Sequence, residues 1–321
     1  MVRVERLLAD CLDDVRTEPP DTVPLTEEDP EYAAARRTFL TAGLEALRAH
    51  TPEAGWVQLN LAVMPPPYGR LAAAARELLG TGLARDFFFM HKPPGLRVRF
   101  LAAEPSRAPE LRAALLRHLT PEERTGDAGT PAVAGVYEPE TYLFGGPRSM
   151  PWVHELFTAD SRAWLDVHTA AAGAPAPVGW RVSLALLHAV FDGLGIVGWE
   201  HRGVWEAVRE EAARRLPGGL GDPDLRRAAA GIRAYWEQSP EGRLQALPKA
   251  WRDVLGEHLV AVGRAAERWH SHYFASGEAT IGPRRAAAHH VIFHWNRGAL
   301  PTARQCLLTE ALAADGREEA D

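Results

Sequence analysis

The sequence has little cysteine, no long apolar run and no excess of basic charge, and each shortage removes a class of function. Two cysteines in 321 residues, Cys11 and Cys306, give neither a disulfide framework nor a CxxC metal pair. No apolar stretch approaches the roughly 20 residues that a membrane-spanning helix needs. The formal net charge is −6, from 36 Lys and Arg against 42 Asp and Glu, so the basic field typical of a nucleic-acid binder is missing. No GxGxxG follows a strand, no P-loop lysine occurs and no Gly-x-Ser-x-Gly elbow appears. The N-terminus, Met1-Val2-Arg3-Val4-Glu5-Arg6, is charged at once and does not read as a secretory signal. The expectation is a cytoplasmic globular protein without a metal or other cofactor and without nucleic-acid or membrane partners. Its 46% hydrophobic and 24% charged residues are enough for one large core.

Periodicity divides the chain into an N-terminal helical arm, residues 1–50, and a domain over residues 51–321. The arm reads as two amphipathic helices, residues 1–18 (Val4, Leu7, Leu8, Cys11) and 31–50 (Phe39, Leu40, Leu44, Leu47), joined by an acidic, proline-containing connection from Glu18 to Pro30. From Trp56 the period changes to two. Trp56–Leu61 alternates and stops at Pro65-Pro66-Pro67; Phe87–Met90 is a short apolar run; Leu96–Leu101 alternates again; Ala132–Tyr137 closes the series. With helices over Leu71–Leu79 and Pro109–Leu119, the order is β-α-β-β-α-β. After Pro151 the helical period dominates, near 151–172, 180–193, 199–216, 223–238, 248–275 and 284–313, with tryptophans as packing anchors. The fold class expected is therefore α+β. A ferredoxin-like split βαβ half occupies 51–150, and a helical half occupies 151–321.

Several residue patterns can carry chemistry. Arg97 and Arg99 share a strand face, where they either meet solvent or grip a carboxylate or amide carbonyl bidentately. Glu138 and Glu140 share a face only if the last strand continues that far; they can serve as acid and base or pair with the arginines. His294 lies in the apolar run Val291-Ile292-Phe293-His294-Trp295, either as a hydrogen-bonded core group or as a proton-transfer group. His290 and His294 have metal-ligand spacing, but no third ligand is close in sequence, so no metal is expected. His188 and Asp192, also i and i+4, read as a helix-surface pair.

Three motifs in order add a resemblance. Leu96-Arg97-Val98-Arg99 comes first. Tyr137-x-x-Glu140-x-x-x-Phe144-Gly145-Gly146 follows, continuing through Met150 and Glu155 to Phe157-x-x-Asp160-Ser161. His294-Trp295-Asn296-Arg297 comes last. Over residues 54–314 this resembles the elimination domain of lantibiotic dehydratases, which also recurs as a stand-alone protein in thiopeptide biosynthesis. The resemblance implies catalysis by His294 with Tyr137 and Glu138. It also implies contacts to a precursor peptide, leader plus dehydrated core, from Arg97, Arg99, Glu140, Asp160, Ser161, Asn296 and Arg297. Two positions depart from the family pattern: Gly95 stands where a histidine is usual, and Leu143 where an arginine commonly grips the glutamyl carboxylate. With the added arm, these departures point to the thiopeptide pyridine synthase branch, in which two dehydroalanines join by a formal [4+2] aza-cycloaddition. Elimination of glutamate from glutamylated serine is the alternative, and a non-catalytic leader-binding scaffold is a third reading. The arm is expected to help bind the leader, and a homodimer is left open.

Overall fold

The structure is a computed structural model and describes residues 8–12, 30–50, 55–62, 65–120, 132–170 and 179–314. The chain forms two compact units, Met1–Gly55 and Trp56–Asp321. In the first, residues 8–12 are helical and α1 spans Pro30–His50. Tyr32 Oη donates to Asp10 Oδ2 at 2.6 Å, and Arg36 Nη2 donates to the Asp10 carbonyl at 3.3 Å. The rest of the first expected helix and the acidic connection lie outside the described residues.

In the second unit, alternation in sequence becomes alternation of faces. The strands are β1 (Trp56–Leu61), β2 (Ala84–Lys92), β3 (Gly95–Ala102) and β4 (Val133–Gly135). They pair antiparallel in the order β2-β3-β1-β4, with α2 (Tyr68–Gly80) and α3 (Ala108–Leu119) in the two crossovers. This is the split βαβ arrangement and an α+β fold. The register sets Gln58 and Phe88 on either side of Arg99, so Trp56, Gln58, Phe88 and Arg99 share one face. That face turns to the helical half, where Phe88 meets Phe157 with ring centroids 5.2 Å apart.

The helical half consists of α4 (Met150–Ala170), α5 (Gly179–Gly193), α6 (Glu200–Glu211), α7 (Pro223–Trp236), the short α8 (Pro240–Gln245), α9 (Lys249–His272), α10 (Pro283–Arg297) and α11 (Thr302–Ala313). Helix α4 covers the open edge of β2. The amide of Phe87 donates to Thr158 Oγ1 at 3.1 Å and that of Phe89 to Ser161 Oγ at 3.4 Å. A sheet edge that would otherwise present unpaired groups is thus closed by side chains. Trp164, Trp205, Trp269 and Trp295 are fully buried, whereas Trp199 is 80% exposed.

Two expectations are corrected. The helix read over 284–313 is two helices. Ala299 adopts φ +50°, and Pro301, which has no amide hydrogen, precedes α11. The last strand stops at Gly135 instead of reaching Tyr137, and Val136 beyond it is 82% exposed. Among the described residues strand β4 pairs with β1 alone, and that pairing ends at Gly135. Glu138 and Glu140 therefore do not share a strand face.

Candidate active site

Helix α10 buries both basic residues of its last turn. His294 and Arg297, three residues apart and so on one face, have no exposed surface. A buried guanidinium needs a counter-charge, and α4 supplies it. Asp160 Oδ2 accepts from Arg297 Nη1 at 2.9 Å, and Asp160 Oδ1 lies 2.8 Å from His294 Nδ1. So short an approach to a carboxylate oxygen requires a hydrogen on Nδ1. Nε2 lies 3.0 Å from Ser183 Oγ, and the same oxygen accepts from Trp295 Nε1 at 3.1 Å. Trp164 Nε1, 3.2 Å from Nδ1, accordingly abuts an N–H rather than a lone pair. Burial alone would raise the Asp160 pKa, but the charges of His294 and Arg297 and the hydrogen bond from His294 bring it down to about 2. Burial pulls Arg297 down to about 10, with Asp160 acting in the opposite direction.

The end of α10 is held by two further histidines. His91 Nδ1 donates to the Asn296 carbonyl and His168 Nε2 to the Arg297 carbonyl, each at 2.8 Å. These are carbonyls that a helix C-terminus leaves without partners. His91 Nε2 in turn accepts from Tyr68 Oη at 2.6 Å, and the Tyr68 ring stacks on His168 at 4.3 Å. Burial lowers the pKa of both imidazoles, that of His168 to about 4.

The sheet supplies a second cation. Arg99, 3% exposed, donates from Nε to Gln58 Oε1 at 2.7 Å and lies over the rings of Tyr137 (4.8 Å) and Phe88 (5.1 Å). Arg297 lies over the same Phe88 ring at 6.0 Å and over Phe157 at 4.2 Å. Burial lowers the pKa of both guanidiniums, and each lies within range of the Tyr137 hydroxyl. Tyr137 is itself buried, its hydroxyl 2.8 Å from His154 Nε2, and burial pushes His154 down to about 3. Two buried guanidiniums thus lie near one another, and Arg297 is the one paired with Asp160. Arg297 Nε and Nη2, and both ring nitrogens of His290, lack a hydrogen-bond partner among the described residues.

The residues singled out from sequence divide into three groups. Asp160, His294 and Arg297 form one hydrogen-bonded cluster, with Arg99 and Tyr137 beside it. Ser161 directs its hydroxyl to the Phe89 amide, and Asn296 is half-buried and contributes its carbonyl. Arg97 and Glu140 are half-buried and Glu138 is exposed; among the described residues none of these three makes an ion pair. His154, Ser183 and His290 were not singled out as catalytic groups. His154 lies on the buried stripe of α4 with Phe157 and Ser161, and Ser183 interrupts the apolar run from Val182 to Leu187, so both carried a signal. The third donor near His290 and His294 does exist. Asp160, distant in sequence, brings one donor atom from each residue within 4.8 Å of the others. Both oxygens of that carboxylate are already engaged, by His294 and Arg297, which leaves the set poorly suited to a cation.

The glycines of the motifs are fixed by packing. Gly145 and Gly146 have φ +88° and +95°, and a Cβ on Gly145 would lie 2.1 Å from Tyr273 Oη, which donates to the Gly145 carbonyl. A Cβ on Gly95 would lie 2.0 Å from the Leu61 carbonyl oxygen, so this backbone has no room for a side chain there. Leu143, in the turn Thr141–Phe144, packs half-buried against the core.

Comparison with known proteins agrees with this fold. The tRNA-dependent lantibiotic dehydratase MibB of Microbispora sp. 107891 superposes over 82% of this chain with a TM-score of 0.56 and 21% identity. The match takes up 28% of that enzyme, so the chain spans less than a third of its length. TsrL aligns over 80% of this chain and 93% of its own, with 16% identity and a TM-score of 0.45. No curated protein matches the sequence. The family described as lantibiotic biosynthesis dehydratase C-terminal matches residues 68–314, which include β2, β3 and β4, Asp160 and the His294–Arg297 turn. Among the described residues no helix is long and apolar enough to cross a membrane. The chain is a member of the lantibiotic dehydratase C-terminal family.

Proposed function

We propose that this chain is a thiopeptide pyridine synthase. It would join two dehydroalanines of one precursor peptide by a formal [4+2] aza-cycloaddition, then release water and the leader peptide as an amide. The observation that carries this reading is Leu143. An arginine at that position would hold the carboxylate of a glutamyl ester, and a half-buried leucine cannot. Gly95 supports it, because the histidine expected there would collide with the Leu61 carbonyl.

The chemistry asks the protein for folding of the peptide and for proton transfer. Bringing two alkenes of one chain together removes an entropic barrier worth up to roughly 7–11 kcal/mol in favourable cases. One dehydroalanine amide must react as its imidic-acid tautomer. Its proton moves from nitrogen to oxygen, and a later proton goes to the departing amide. We assign the proton transfer to His294 with Tyr137 and Glu138, and peptide contacts to Arg97, Arg99, Glu140, Asp160, Ser161, Asn296 and Arg297. His294 has no exposed surface, so the role requires the bound peptide to open the packing of α10 against α4 and α5. The leader is assigned to the N-terminal unit.

A second reading, glutamate elimination, is favoured by a different observation. Arg297 pairs with Asp160 through Nη1, and its Nε/Nη2 fork has no partner among the described residues. That fork suits a carboxylate. In this reaction a base removes the α-proton of glutamylated serine and glutamate departs, leaving dehydroalanine.

One experiment separates them. The purified chain is incubated with two leader-bearing peptides, one with two dehydroalanines and one glutamylated, and the products are read by mass spectrometry. A pyridine macrocycle with free leader amide establishes the synthase. Loss of glutamate from the second peptide establishes the eliminase and overturns the first reading. Neither product, with the leader still bound, leaves a scaffold.

A further inference from the structure

Away from the Asp160 cluster, the turn between α5 and α6 gathers a second set of donor groups that the reaction above does not use. His188 and Asp192 lie one turn apart at the end of α5. The chain then reverses through Gly195 (φ +69°) and Gly198 (φ +57°), both in the left-handed region that favours glycine. The reversal places His201, in the first turn of α6, against His188 with ring centroids 5.1 Å apart. One donor atom from each of His188, Asp192 and His201 lies within 4.8 Å of the others.

The orientation of His201 is the independent observation. Its Nε2 is 2.9 Å from the Ile196 carbonyl oxygen, an acceptor, so Nε2 carries the hydrogen and Nδ1 carries the lone pair. Metal-ligating imidazoles are oriented in this way, with the distal N–H on a carbonyl or carboxylate. His188 Nδ1 and Asp192 Oδ2 are 3.0 Å apart. That separation is close to the edge of about 3.3 Å that bonds of about 2.0 Å subtend in tetrahedral zinc sites. Phe191 and Trp236 pack around the His201 ring, and Trp236 also meets His188. The group opens on a cleft of about 420 Å³ that His188 and His201 help line, which provides an entry path. Asp192 is about half exposed, so it can rotate to close on an ion. Arg243 acts electrostatically on Asp192 and His201 but donates to the carbonyls of Trp236 and Gln238, and among the described residues it makes no ion pair with Asp192.

We infer that His188, Asp192 and His201 bind a divalent transition ion of the zinc class, with the fourth position open to the cleft. The ion ties the end of α5 to the start of α6 across the glycine turn. The Asp160 cluster differs, because both oxygens of its carboxylate are taken and Arg297 lies beside it.

The test uses the tag-free full-length chain, stripped with chelator and titrated with cobalt(II) chloride, followed by zinc(II) chloride. One equivalent of cobalt with the visible d–d bands of four-coordination, displaced by zinc and accompanied by a higher Tm, is the expected result. Asp192→Asn, at an exposed position, and His201→Gln should each weaken binding at least about tenfold. His290→Ala should leave the titration unchanged. Absence of the four-coordinate spectrum in the unmutated chain overturns the assignment, as does an unchanged titration in both ligand variants. Loss of binding in His290→Ala alone moves the ion to the buried cluster and also overturns it.

Discussion

Two aspartate–histidine pairs with nearly the same N···O separation occupy opposite environments in this fold. Asp160 and His294, 2.8 Å apart, come from different helices and have no exposed surface. His188 and Asp192, 3.0 Å apart, sit one turn apart on a single helix, with the aspartate side chain 49% exposed. Distance alone would rank them together, but burial separates them. In the interior a charge without its partner has no solvent to replace it, whereas at the surface water takes over at little cost. The buried pair therefore carries structural and chemical weight that the surface pair lacks unless a metal ion joins it.

The sharpest test of that contrast removes each aspartate in turn. Asp160→Ala leaves Arg297 buried and unpaired and should cost about 3–5 kcal/mol in urea unfolding. A loss below about 1 kcal/mol would mean that the interior relaxes and that the contrast is false. Next in size is His294→Ala. Loss of positioned acid–base catalysis should lower turnover at least about 100-fold, read together with Tm on the same variant. A destabilised variant with full turnover would leave His294 a packing residue.

Acid should break the buried region first, in two stages. His154 and His290, lowered to about 3, and His168, lowered to about 4, are neutral in the folded chain and take up protons on unfolding. Their contribution is complete above the usual histidine value of 6.5 and falls as pH drops towards those folded values. Each costs roughly 1.4 kcal/mol per pH unit over that window. Asp160, held at about 2 against a usual 3.8, adds its loss only below about pH 4. Unfolding free energies from pH 8 to 3 should decline from about pH 6.5, and a flat profile down to pH 4 would show that the histidines are not buried neutral. A smaller effect is expected for Arg99→Lys, which keeps the charge but loses the fork that reaches Gln58; turnover should fall with little change in Tm. The smallest is Asp192→Ala in metal-free buffer, within about 0.5 kcal/mol of the unmutated chain.

Much of the frame was legible in the sequence. The period-two runs Trp56–Leu61 and Leu96–Leu101 became β1 and β3, and the β-α-β-β-α-β order became the split sheet, because alternation acts through near neighbours along the chain. The pairing of His188 with Asp192 was legible for the same reason, since one helical turn fixes it. The end of β4 was not, because strand length depends on what the neighbouring strand offers, and among the described residues the pairing with β1 ends at Gly135.

The site was legible as residue types but not as an arrangement. The sequence determined that His294 and Arg297 share a helix face and that Gly145-Gly146 turns. Only the tertiary structure decided that Asp160 sits between His294 and Arg297, and that Arg99 is buried under Tyr137 rather than solvated. It also decided that His91 and His168 hold the end of α10. Periodicity sets the face on which a side chain lies, but a counter-charge 134 residues away is fixed by the packing of α4 against α10 and the sheet. In that interior, with no water to compete, the choice of partner sets both the charge and the orientation of each group.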